Sequence, residues 1–134
     1  MEPRFLLDTH ILVRWLMEPG KLSRAQRRAI ENAERGGEPV AFSAVSLLEI
    51  ALLASEIKPR LNIRLGEFFE TLQANPFFEL LPLTYEIAAE VAALGWSLRD
   101  PVDRAIVATA RVHRLRLVTS DQRIAASKLA SVVE

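Results

Sequence analysis

The chain has 134 residues, carries no formal net charge at neutral pH and contains no cysteine. This length suffices for one domain with a full hydrophobic core, and the lack of cysteine excludes disulfides and thiolate chemistry. The zero net charge gives no overall positive field that would attract nucleic acid. No apolar run approaches the ~20 residues that cross a bilayer, and the N-terminus lacks a signal-peptide pattern. We therefore expect a single domain over residues 1–134 in the cytoplasm, with no membrane partner.

Short apolar strands alternate with helices along the whole chain. The first strand, Phe5-Leu6-Leu7, is a continuous apolar run of the kind found in buried parallel strands. Further strands are predicted at 40–42, 78–83, 115–119 and near Val132. Helices are predicted at 11–16, 23–35, 43–55, 64–74 and 85–94, from residue 101 onward, and briefly after residue 121. This alternation predicts an α/β fold with a mainly parallel sheet.

Capping residues mark several helix ends. Ser23 and Thr84 are suitable N-caps, and Gly95 is a suitable C-terminal stop. Asp100 followed by Pro101 predicts an N-cap and the first helical position of the longest apolar helix.

The acidic residues are placed at strand ends and helix starts. Asp8 and Asp121 follow strands, Asp103 lies one turn into its helix, and Glu49 is the only charge in an apolar helix. Right-handed crossovers bring the ends of parallel strands to one edge of the sheet. We therefore expect these four carboxylates to converge in one acidic pocket.

Two interpretations of these acids remain open at this point. Taken singly, each Asp has a structural explanation as an N-cap or a first-turn charge, and Glu49 would need a partner such as Arg104 if buried. Taken together, the carboxylates would repel one another, and a divalent cation would remove that repulsion. Oxygen ligands are typical of Mg²⁺ or Mn²⁺. Such an ion supplies a water of lowered pKa for phosphodiester hydrolysis.

Polar residues near the acids could hold ligands or waters in place. The candidates for this supporting role are Thr9, Ser46, Asp100, Arg104 and Thr119. His10 and His113 lack metal-ligand spacing. His10 follows Asp8-Thr9 and is interpreted as a packed turn residue, with a position at the mouth of the site as the alternative. Arg14 and Arg123 are interpreted as salt-bridge or surface residues.

Four segments in order resemble PIN-domain ribonucleases of the VapC type, the toxin half of toxin–antitoxin pairs. They are FLLDTH around Asp8, SAVSLLEIA around Glu49, RDPVDRAIVATA around Asp103 and LVTSD at Asp121. The resemblance implies a three-layer α/β/α sandwich with a five-stranded, mainly parallel sheet.

The resemblance also implies a function, namely an Mg²⁺- or Mn²⁺-dependent endoribonuclease of the prokaryotic cytoplasm. It gives Asp8, Glu49 and Asp103 the family's three central acidic positions and Asp121 a fourth, more variable one. It leaves open whether Asp100 is a ligand. It further implies an RNA substrate, a homodimer and a cognate antitoxin that covers the acidic groove.

Two other classes compete with this interpretation. A phosphotransfer receiver domain also has acids at strand ends, but it needs a lysine near the end of a late strand, and Lys21, Lys58 and Lys128 do not lie there. A PIN-like domain that only binds RNA or protein is the second alternative, which a cleavage assay would distinguish. Separately, the aromatic-rich segment 68–78 suggests apolar surface left over for a homodimer.

Overall fold

Five parallel strands form one sheet in the computed structural model, which describes residues 1–134. The strands are β1 (Phe5–Leu7), β2 (Val40–Ser43), β3 (Phe78–Leu81), β4 (Arg116–Val118) and β5 (Val132–Val133). Their spatial order is β3-β2-β1-β4-β5, so the sheet runs outward from β1 in both directions. The first strand is therefore central, as its unbroken apolar run predicts.

Seven helices connect the strands. They are α1 (Thr9–Met17), α2 (Arg24–Arg35), α3 (Ala44–Ser55), α4 (Leu65–Ala74), α5 (Tyr85–Ala93), α6 (Pro101–His113) and α7 (Gln122–Ser127), with one 3₁₀ turn at Pro19–Lys21. None of these helices has the length and apolar character needed to cross a membrane.

Side chains alternate between two hydrophobic cores, one on each face of the sheet. Leu7 contributes to the core beneath α1, α2 and α4, whereas its neighbour Leu6 contributes to the core beneath α5, α6 and α7. A strand buried on both faces requires helices on both sides. The predicted α/β/α sandwich with a five-stranded parallel sheet is thus confirmed.

The predicted elements are all present, with small changes at their ends. Ser23 forms a capping box with Gln26, and Gly95 adopts a φ of 73° after α5. The third strand ends at Leu81 instead of residue 83, because Pro82 has no N–H to donate to a neighbouring strand.

The aromatic segment 68–78 is largely packed against the chain's own core. Phe68 and Phe78 are buried in that core, and Phe69 and Phe77 pack partly against it. An open apolar groove lined by Phe69, Leu72 and Phe78 remains accessible, and the homodimer stays a prediction. Large exposed apolar side chains lie elsewhere, among them Leu48 and Leu52 on α3.

Candidate active-site cleft

A cleft at the carboxyl ends of the strands brings together the acids that the sequence singled out. Its walls include Asp8, Glu49, Asp100, Asp103 and Asp121. Each position follows from the topology: β1 and β4 are neighbours in the sheet, and α3 and α6 begin at the same edge. Basic side chains share the cleft, namely Arg14, Lys21, Arg60 and Arg123.

The most deeply buried acid, Asp8, is held by a dense set of hydrogen bonds. Its Oδ1 accepts from the backbone N–H of Thr9 at 2.8 Å, which caps α1. Its Oδ2 accepts from the hydroxyl of Thr119 at 2.6 Å. The side chain is only about 5% exposed, so these bonds fix its orientation. Thr119 thus contacts the carboxylate of Asp8 directly, and its supporting role toward a metal ligand stays a prediction.

A second buried hydrogen bond joins the two helices that carry Asp8 and Glu49. The hydroxyls of Thr9 and Ser46 lie 2.8 Å apart, and both residues are buried. Ser46 lies one helical turn before Glu49. The pair therefore fixes α3 against the start of α1, although neither hydroxyl contacts the Glu49 carboxylate.

Glu49 is half-buried and has no salt-bridge or side-chain hydrogen-bond partner. The predicted pairing with Arg104 is wrong. The Arg104 guanidinium instead donates to the carbonyls of Val91, Gly95 and Leu98, and it lies over the Trp96 ring. Carbonyls at a helix C-terminus lack intrahelical donors, and Arg104 supplies them at the end of α5. Glu49 is therefore free to bind a ligand in the cleft, and Arg104 has a structural role outside it.

Asp100 and Asp103 divide the roles of cap and free carboxylate as the sequence predicts. Asp100 Oδ1 accepts from the N–H groups of Val102 at 2.9 Å and Asp103 at 3.1 Å, which caps α6. Burial, together with the negative charges of Asp100, Asp121 and Asp8, raises the pKa of Asp103 to about 7. The charge of Arg123 opposes this shift without cancelling it, so an ionised Asp103 remains costly without a further cation.

Asp121 caps α7 and carries its own counter-ion. Its Oδ1 accepts from the backbone N–H of Arg123 at 2.9 Å, and its Oδ2 lies 3.1 Å from the Arg123 guanidinium. Burial raises the pKa of Asp121, but the hydrogen bonds and charge of Arg123 outweigh it, so the net pKa is lowered. The same guanidinium lies 3.6 Å from Asp103. The salt-bridge role predicted for Arg123 is confirmed. Arg14, in contrast, has no carboxylate partner within 4 Å.

His10 has a more specific position than the sequence indicated. Its Nε2 accepts from the backbone N–H of Ser120 at 2.9 Å, and its Nδ1 lies 3.5 Å from Asp8 Oδ2. Burial lowers the pKa of His10, opposed by the charge of Asp8 and supported by that of Arg14. A neutral ring matches this geometry, because an Nε2 that accepts a hydrogen bond carries no proton, which leaves the single ring proton on Nδ1. The order Asp8-Thr9-His10 was the only signal for this contact in the sequence.

Gln26 is a second residue that sequence reasoning missed. It is buried, and its amide donates to the Ser120 hydroxyl at 2.8 Å and the Thr119 carbonyl at 3.3 Å. It thereby connects α2 to the loop that carries Asp121. In the sequence its capping role beside Ser23 was the visible signal, and the long-range contact had none.

The donor chemistry of the cleft fits a hard divalent cation, but the spacing does not yet complete a site. Carboxylate oxygens are the ligands that Mg²⁺ and Mn²⁺ prefer, and the pKa of Asp103 is raised by burial and by the neighbouring carboxylates despite the opposing charge of Arg123. No three Asp, Glu or His side chains lie close enough together to hold one ion. The carboxylates would need to move toward one another for three of them to share a cation.

Comparisons with known proteins agree on one family. Residues 5–129 match the PIN domain. The chain is 38% identical over 120 residues to Ribonuclease VapC22 of Mycobacterium tuberculosis, covering 89% of this chain and 88% of that protein.

Solved structures give the same fold. VapBC2 from Rickettsia felis, bound to a promoter DNA fragment, aligns with a TM-score of 0.71 at 14% identity, covering 98% of this chain and 97% of that one. FitAcB from Neisseria gonorrhoeae aligns with a TM-score of 0.69 at 22% identity, covering 97% and 96%. A toxin–antitoxin complex from Klebsiella pneumoniae aligns with a TM-score of 0.65 at 25% identity, covering 96% and 95%.

Proposed function

The chain belongs to the PIN-domain family, among its VapC-type ribonucleases, and we propose that it is a divalent-metal-dependent endoribonuclease, the toxin of a toxin–antitoxin pair. We propose that one domain over residues 1–134 carries this activity, in the cytoplasm of a prokaryotic cell. The observation that carries the proposal is the shared cleft of Asp8, Glu49, Asp103 and Asp121, at the edge where the parallel strands end.

In this proposal the four carboxylates are the metal ligands and catalytic residues. A bound Mg²⁺ or Mn²⁺ would supply a water of lowered pKa and neutralise charge that develops on the phosphate. Asp8 is oriented for this role by Thr119, and Glu49 is available because no side chain pairs with it. The pKa of Asp103 is about 7 without metal, so the carboxyl is only partly ionised near neutral pH and would lose its remaining proton on ligating a cation.

The basic residues of the cleft support RNA as the substrate. Arg14 lines the cleft between the acids and has no carboxylate within 4 Å, so its charge is available for a phosphate. Lys21 and Arg60 lie at the same rim, although exposed salt bridges with Glu18 and Glu56 occupy them. Exposed pairs are weak, and a polyanion can replace them.

The partners proposed for the chain are an antitoxin and a second copy of itself. A groove with four apolar and four polar lining residues adjoins the cleft, because Leu61 lines the cleft and Asn62 lines the groove. Its apolar residues are Leu16, Met17, Ile63 and Phe68. An antitoxin segment lying in this groove would reach the acids.

The exposed Leu48 and Leu52, one helical turn apart on α3, offer an apolar surface for a homodimer. Light scattering that finds only monomers at micromolar concentration would contradict the homodimer.

The test of the proposed function compares two Glu→Gln variants in an RNA cleavage assay. We expect the wild-type protein to cleave RNA with Mg²⁺ or Mn²⁺ and not with EDTA. Glu49→Gln should reduce the rate at least about a hundredfold, since loss of a residue that only orients a ligand already costs ~10–100-fold. Glu86→Gln, an exposed change on α5 outside the cleft, should leave the rate unchanged.

Two results would contradict the proposal. One is equal cleavage by the Glu49→Gln and Glu86→Gln variants. The other is RNA binding by the wild-type protein without cleavage at any metal concentration, which would favour the alternative of a domain that only binds RNA.

A further inference from the structure

One guanidinium lies between two of the proposed metal ligands. Arg123 Nη2 is 3.1 Å from Asp121 Oδ2 and 3.6 Å from Asp103 Oδ2. The two carboxylate side chains are only 19% and 15% exposed, whereas the Arg123 side chain is 75% exposed. A cation that comes from the solvent side thus contacts two largely buried carboxyl groups, and it lies closer to Asp121 than to Asp103.

No other arginine or lysine in the cleft pairs with a proposed ligand. Lys21 pairs with Glu18, and Arg60 pairs with Glu56. Arg14 donates only to the Ser120 hydroxyl, at 3.4 Å. Arg123 is therefore distinguished from its neighbours by its contacts and not by its charge alone.

We propose that Arg123 is a built-in counter-ion that competes with the divalent cation for Asp103 and Asp121, so that metal binding requires its guanidinium to move away. This inference rests on the proposed function, which supplies the metal. A divalent ion shared by the two carboxylates would lie beside the guanidinium, and the two cations would repel each other.

The fold permits this movement at little cost. The N-terminus of α7 is capped through the backbone N–H of Arg123, which donates to Asp121 Oδ1 at 2.9 Å, and not through its side chain. Because the guanidinium is exposed, its rotation into solvent uncovers no core residue. Arg123 is thus a positioning residue that sets how strongly the site binds metal.

The test uses four proteins and Mn²⁺ alone, without RNA. Arg123→Gln removes the charge, and Arg123→Lys keeps a charge at the same position. Arg14→Gln is the matched control, because it removes one cation from the same cleft without breaking a contact to Asp103 or Asp121. Mn²⁺ affinity is measured by calorimetry, and thermal unfolding is followed in EDTA and in saturating Mn²⁺.

We expect Arg123→Gln to raise the affinity for Mn²⁺ about three- to tenfold, the range that two exposed ion pairs would give. The Mn²⁺ affinities of Arg14→Gln and Arg123→Lys should stay within about twofold of wild type. In EDTA, Arg123→Gln should melt below wild type. In saturating Mn²⁺ this difference should vanish, because tighter binding of the ion to the variant offsets the lost pairs.

Three results would overturn the inference. Equal Mn²⁺ affinities of Arg123→Gln and Arg14→Gln would show that only the overall charge matters. A melting difference that persists in saturating Mn²⁺ would show that Arg123 stays in place when the ion binds. Failure of the wild-type protein to bind Mn²⁺ would instead refute the proposed function on which the inference rests.

Discussion

Replacement of Asp103 by Asn should stabilise the metal-free protein in a pH-dependent way. The pKa of Asp103 is raised from 3.8 to about 7, by burial first and then by the charges of Asp100, Asp121 and Asp8. Between these two values the folded state holds a proton that the unfolded chain releases. The stability of the wild-type protein should therefore fall as the pH rises from about 4 to about 7.

The magnitude follows from the size of the pKa shift. One pKa unit corresponds to ~1.4 kcal/mol, so the full shift would be worth ~4 kcal/mol. Solvent screening of a group that faces an open cleft reduces this to about 1–2 kcal/mol. Asn has nearly the same shape and no charge. Asp103→Asn should thus raise the melting temperature by about 3–8 °C at pH 8 and leave it unchanged near pH 4.

Thermal unfolding in EDTA between pH 4 and pH 8 measures this effect, and Asp100→Asn is the matched control. Asp100 is exposed and acts as a cap, a role that Asn fills about as well. In the cleavage assay, Asp103→Asn should be nearly inactive. The reasoning is refuted if Asp103→Asn melts at or below wild type at pH 8. If Asp100→Asn is inactive while Asp103→Asn cleaves normally, the third catalytic acid has been assigned to the wrong residue.

Three further substitutions test other parts of the structure by urea unfolding at pH 7. Thr119→Val removes a buried hydroxyl that donates to Asp8 at 2.6 Å. It should lower the free energy of unfolding by about 1–3 kcal/mol and slow cleavage. Wild-type activity in this variant would contradict the supporting role of Thr119. Asp100→Ala should lower the free energy of unfolding by about 1 kcal/mol, and Asp100→Asn should lower it much less. Equal losses in the two variants would argue against a capping role for Asp100. Arg104→Met should lower the free energy of unfolding by about 1 kcal/mol or more, since three carbonyls lose a donor. It should leave the cleavage rate unchanged, and a loss of activity would show that Arg104 does act in the site.

The fold could be predicted from local signals because those signals agree with one another. Apolar runs such as Phe5–Leu7 identify buried strands, and caps such as Ser23 and Asp100 identify helix starts. Once strands alternate with helices, the handedness of the crossovers brings strand ends to one edge. The common location of Asp8 and Asp121 therefore followed from topology, without knowledge of any contact.

Side-chain partners could not be predicted in the same way. The sequence suggested Arg104 as a partner for Glu49, but the direction of a side chain depends on what packs beside it. Here α5 and the loop that follows it present free carbonyls to Arg104. The contacts of His10 and Gln26 with the 119–121 loop join residues about 90–110 positions apart. No periodicity or capping rule carries information over that distance.

The most direct test of the account is anomalous diffraction from crystals of the wild-type protein soaked in Mn²⁺. We expect one strong peak in the cleft, surrounded by carboxylate oxygens of Asp8, Glu49, Asp103 and Asp121. Each oxygen should lie either near the ~2.1 Å typical of small hard divalent ions or one bridging water away from the ion. A peak only at other acids on the surface, or no peak in the cleft at saturating Mn²⁺, would contradict the claim that these carboxylates form the metal centre.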